Sequence, residues 1–127
     1  MKEFAAIEWE RAQRALASAR QLVETDPDSA ASRAYYAAFH ALTALFALRG
    51  KTFSKHSAMR AALHRDLVQP GVLNKDMARD YDFLLDLRET GDYGGVAHVP
   101  PDSARLAADK AEAFLAAVKR ICPELTG

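Results

Sequence analysis

Between residues 28 and 49 the chain places apolar side chains at helical period on nearly every side. Projected at 100° per residue, Tyr35, Phe39, Leu42 and Phe46 form a bulky stripe, and Ala37, Ala41, Ala44 and Leu48 form a smoother one. A helix with two apolar faces belongs in the middle of a bundle. Between them runs a narrower stripe of Arg33, Tyr36, His40 and Thr43, which brings polar tips onto an otherwise buried helix. Each tip needs a partner, because an unpaired buried polar group costs roughly 1–3 kcal/mol.

The same period sets out the other elements. Trp9, Ala12, Leu16, Ala19 and Val23 give an amphipathic helix over about residues 3–24. It stops at Thr-Asp-Pro-Asp-Ser, where Asp26 is placed to cap the next helix and Pro27 to occupy its first turn. Gly50 suits the left-handed end of the central helix. Ser54 is the expected cap of a third helix over residues 55–68, with His56, Arg60 and His64 on an adjoining face that is either solvated, the preferred reading, or a basic strip for a phosphate backbone. After Pro70-Gly71, Asn74 caps a fourth helix over residues 75–90, whose apolar stripe of Met77, Tyr81, Leu84 and Leu85 continues into Arg88. Gly91, Gly94 and Gly95 then end regular structure, and an ordered loop reaches to Pro101. Ala107, Ala111, Phe114, Leu115, Val118 and Ile121 form the buried face of a last helix that starts at Asp102 or Ser103. No stretch alternates as an amphipathic strand does. The expectation is one all-α domain over residues 1–127: an up-and-down four-helix bundle with an additional short helix.

Composition removes whole classes of function. The chain has 127 residues, enough for one core and too few for two ordinary domains. Seventeen basic residues balance seventeen acidic ones, so no global field draws nucleic acid, although a local patch still could. The single Cys122 excludes an intrachain disulfide and reads as a small buried hydrophobe. With no signal-peptide core and no run long enough to span a bilayer, the expected location is cytoplasmic, with no membrane partner. The four histidines lack metal-ligand spacing, and neither a phosphate-binding glycine loop nor a Gly-x-Ser-x-Gly elbow is present. No metal or cofactor is expected.

Arg88 is the leading candidate, since a guanidinium at the end of an apolar stripe cannot be neutralised and needs an acceptor. Either it reaches out to Asp92, or it is poised to grip phosphate, which its planar fork matches in two bonds. Residues 88–95, Arg-Glu-Thr-Gly-Asp-Tyr-Gly-Gly, set Asp92 and Tyr93 beside it. Tyr36, His40 and Arg33 are supporting candidates on the central helix. His98 is a loop histidine that meets Arg88 only if the glycines fold the loop back.

Three segments carry a family resemblance: Ser32-Arg33-Ala34-Tyr35-Tyr36-Ala37-Ala38-Phe39-His40-Ala41, then Lys55-His56-Ser57, then Arg88 to Tyr93 before a last amphipathic helix. With these in this order the chain resembles HEPN-domain proteins over about residues 5–121. The resemblance implies a helical bundle paired as a homodimer, often working beside a minimal nucleotidyltransferase in toxin–antitoxin or defence systems. Many such proteins are metal-independent ribonucleases with an arginine followed, four to six residues on, by a histidine. Here the position five residues after Arg88 is Tyr93, and His98 stands ten residues on. Tyrosine, with a pKa near 10, is a poor base at neutral pH. Three readings follow: His98 swings in, Tyr93 and Asp92 replace the histidine, or the domain binds nucleotide or RNA phosphate without cutting. The last is preferred, with a metal-independent endoribonuclease and a non-catalytic structural module as alternatives.

Overall fold

The computed structural model describes residues 1–126. Five α-helices follow in order: α1 (Lys2–Leu22), α2 (Pro27–Leu48), α3 (His56–Ala62), α4 (Lys75–Tyr93) and α5 (Pro101–Ile121). A wider π-helical stretch, Leu63–Val68, prolongs α3, and a short 3-10 turn, Pro123–Thr126, follows α5. The four long helices form the expected bundle, and α2 packs against α1, α4 and α5 at once.

Both apolar faces of α2 are used. Tyr35, Leu42 and Phe46 are buried on the bulky face, as are Ala37, Ala41 and Ala44 on the smooth one. Alanines at these positions admit neighbouring helices to close range, while each fully buried leucine or phenylalanine contributes about 1.5–3 kcal/mol. From α5, Phe114 reaches the Tyr81 ring, with centroids 5.6 Å apart. A smaller cluster of Val23, Ala30, Ala31, Val99 and Ala104 closes one end of the bundle.

The helix ends follow local chemistry. Asp26 accepts hydrogen bonds from the Ser29 amide at 3.2 Å and the Ser29 hydroxyl at 2.6 Å, and Asn74 accepts from the Met77 amide at 3.0 Å. Gly50 has φ +77°, in the left-handed region that ends a helix.

Three boundaries differ from the sequence expectation. Lys55, not Ser54, is the residue before α3, and no side chain caps that helix. More consequentially, α4 runs through Gly91 to Tyr93. Gly91 is there for close approach: a Cβ on it would stand 2.7 Å from the Asp28 carbonyl oxygen of α2. The ordered loop is accordingly short, covering residues 94–100. The last helix begins at Pro101, one residue earlier than expected.

Candidate functional site

The approach at Gly91 brings the C-terminal turns of α4 against the N-terminal half of α2. In antiparallel order, Gly91 meets Asp28, the Asp92 carboxylate accepts from Ser32 at 3.4 Å, and Arg88 meets Tyr36. Arg88 is the centre of this contact. Its Nε donates to Asp92 at 3.1 Å and one Nη to the Tyr36 hydroxyl at 3.0 Å. The other Nη is approached by Glu89 at 3.9 Å, too far for a hydrogen bond. Only 12% of the Arg88 side chain is exposed. Its guanidinium carbon lies 5.5 Å from the Tyr35 ring, 5.4 Å from Tyr36 and 5.5 Å from Tyr93. Burial pulls the guanidinium pKa down, but the phenol oxygens of Tyr36 and Tyr93 and the Asp92 carboxylate outweigh it. Tyr93 itself is 71% exposed, so an aromatic face stands open to solvent beside the cation.

The structure therefore brings together four of the residues singled out in the sequence: Arg88, Asp92, Tyr93 and Tyr36. Arg33 adjoins this group, with its guanidinium carbon 5.0 Å from the Tyr36 ring. His40 turns toward α1, where its Nδ1 bonds the buried Glu8 carboxylate at 2.6 Å. His98 is held by Asp28: its Nδ1 lies 2.7 Å from one carboxylate oxygen, while the other accepts the Val99 amide at 2.7 Å. Those two bonds, the amide first, draw the Asp28 carboxyl below its ordinary range. The loop thus closes onto the start of α2, and His98 engages Asp28 in place of Arg88.

Another histidine takes the place beside the arginine. His56, read from the sequence as part of a solvated face or a basic strip, packs on Phe39 with centroids 4.6 Å apart and ring planes tilted by 38°, and stands edge-on to Tyr36 at 5.8 Å. The Tyr35 hydroxyl is 2.7 Å from its Nδ1, and the deeply buried Tyr81 hydroxyl donates to Tyr35 at 3.3 Å. Tyr81 donates to Tyr35, and the buried Tyr35 proton has His56 Nδ1 as its one acceptor among the described residues, so with Tyr35 donating onward the ring proton of a neutral His56 sits on Nε2. Burial, then the Arg88 charge, lowers the His56 pKa from 6.5. Burial likewise raises the phenols of Tyr35 and Tyr81.

The rest of the expected solvated face is neutralised. Arg60 forks onto Asp82 at 2.7 and 3.0 Å, and His64 lies 3.6 Å from the same carboxylate. Sequence reasoning missed Glu8, and it named His56 only with Arg60 and His64, not with Arg88. Glu8 sits on the buried edge of α1, one residue before Trp9, where the amphipathic pattern alone signals a problem to be solved. His56 gave its signal only in Lys55-His56-Ser57.

A model of the HEPN domain matches residues 6–121. The chain belongs to the HEPN family. It is 35% identical over 116 residues to a UPF0332 protein of Thermotoga maritima, covering 91% of this chain and 88% of that protein. Its fold is also that of TT1696 from Thermus thermophilus, whose crystal structure superposes with a TM-score of 0.77 over 95% of this chain and 99% of that one, at 24% identity. Among the described residues of this HEPN chain, no helix is long and apolar enough to cross a membrane.

Proposed function

We propose that this HEPN chain acts as a homodimer that binds a nucleotide or an RNA phosphate around Arg88, beside a partner of nucleotidyltransferase fold in a toxin–antitoxin or defence setting. One observation carries the reading: Arg88 is held rigidly by Asp92 and Tyr36, yet one Nη makes no hydrogen bond among the described residues, and the exposed Tyr93 ring lies next to it. A fixed guanidinium with free donors suits a phosphate, and an open aromatic face suits a base. Arg88 and Tyr93 are the ligand contacts in this reading; Asp92 and Tyr36 position the guanidinium. The partner and the setting come from the family alone.

A second reading, the metal-independent endoribonuclease, is favoured by the placement of His56. In that case Arg88 would stabilise charge on the phosphorus centre, and His56, aligned through Tyr35, would handle the proton, a role sequence reasoning gave to His98 or Tyr93. The deciding experiment measures nucleotide binding and cleavage of a mixed RNA pool in excess chelator. Wild type is expected to bind, Arg88→Ala to lose about tenfold or more in affinity, and no variant to cut. Cutting that vanishes in Arg88→Ala and His56→Ala but survives in His98→Ala would establish the second reading. Absence of nucleotide and RNA binding by a folded wild type would leave the structural module.

A further inference from the structure

Arg33 and His40 also line a cavity of about 320 Å³ between α1 and α2, whose other walls include Arg11, Arg14 and Ser18. No carboxylate lines it. The acidic groups that face its basic residues are Glu8, which lies 3.5 Å from Arg11 and 2.6 Å from His40, and Glu10, which lies 2.7 Å from Arg14. Glu8 is buried and already engaged by Arg11 and the His40 ring, while the Arg14–Glu10 pair is exposed on both sides and worth little in water. Arg33 has no ion pair among the described residues; its guanidinium rests against Tyr36, the same phenol that accepts from Arg88. His40 is fixed through Nδ1 by Glu8, and its Nε2 has no protein partner among the described residues. The chain is neutral overall, and three guanidiniums set against the two carboxylates of Glu8 and Glu10 leave a local excess of one positive charge, with no carboxylate on the cavity wall itself. Larger cavities of about 430 and 480 Å³ lie elsewhere, one of them lined by Trp9, Leu16 and Leu115, and neither adjoins Arg88.

We propose that this cavity is a second phosphate subsite, continuous with Arg88 through Arg33 and Tyr36, and that the ligand is therefore a single strand of RNA rather than a mononucleotide. One phosphate sits at Arg88 with its base on Tyr93, and neighbouring phosphates of the same strand run over Arg33 into the cavity, where Arg11 and Arg14 meet them. A groove that follows a backbone with an aromatic platform at one end is the arrangement by which single strands are held without sequence preference.

The inference rests on the Arg88 reading, and binding by fluorescence anisotropy separates the two. The probes are adenosine monophosphate and a mixed-sequence RNA of about ten nucleotides, a typical length for one such groove. Wild type is expected to hold the oligomer at least about tenfold more tightly than the mononucleotide at low salt. The Arg11→Ala/Arg14→Ala variant, altered at two exposed side chains, is expected to lose that advantage. Its salt slope should fall by about 0.7 for each phosphate contact removed, with mononucleotide binding unchanged. Unchanged oligomer affinity and slope in this variant would overturn the subsite while leaving the Arg88 reading intact. Competition by polyglutamate as effective as RNA of equal charge would also overturn it, in favour of an acidic protein segment. Loss of both probes' binding in wild type would remove the Arg88 reading as well.

Discussion

His56 shows how a single residue changes meaning with its neighbours. Alone on a helical wheel it belongs with Arg60 and His64; in the fold it is the ring that ends the Tyr81–Tyr35 hydrogen-bond chain beside Arg88. Its lowered pKa has a consequence for stability. The folded state resists a proton that the unfolded chain accepts at about 6.5, so the contribution is complete above that pH and is lost as pH falls toward and through the folded value. Denaturant titrations at pH 7.5 and 5.5 should show wild type losing more stability on acidification than His56→Gln does, by a modest amount because the ring is partly exposed. Equal losses in the two proteins would mean that His56 is not proton-linked to folding.

At the scale of elements, the site depends on how closely α4 can lie against α2. Gly91 permits that approach, and the pairs that follow it, Asp92 with Ser32 and Arg88 with Tyr36, are set by the same register. Alanine raises intrinsic helix propensity by roughly 1 kcal/mol over glycine, yet here its Cβ would collide with a backbone oxygen that has no side-chain freedom to move away. Gly91→Ala is therefore expected to destabilise the protein by roughly 1–3 kcal/mol and to weaken ligand binding at Arg88 along with it. A neutral or stabilised variant would show that the two helices do not need this contact. The period of residues 75–90 made α4 legible, but a glycine in a sequence reads as a terminator first, and only the partner backbone reveals it as a contact.

For the whole molecule, the family implies a second copy. Phe4, Ile7, Val72 and Leu106 remain exposed on the single chain, which leaves apolar surface for such pairing. Light scattering is expected to give twice the 13.9 kDa of one chain, and a mass of one chain at micromolar concentration would refute the homodimer. The neutral net charge is compatible with a nucleic-acid ligand because the cations are distributed unevenly. Asp82 and Asp66 pair with Arg60 and Arg65, while among the described residues Arg33 has no ion pair and one Nη of Arg88 makes no hydrogen bond.

The sequence by itself determined the helical class, the central place of α2, the caps at Asp26 and Asn74, and the position of Arg88 at the end of an apolar stripe, because each depends on period or on groups within a few residues of one another. The tertiary structure decided the pairing of His98 with Asp28, His40 with Glu8 and His56 with Tyr35. It also decided that Gly91 lies inside a helix. Those partners are 70, 32 and 21 residues apart in the chain. A side chain's nearest polar neighbour at such separation is set by helix register and depth of packing, which no local pattern encodes.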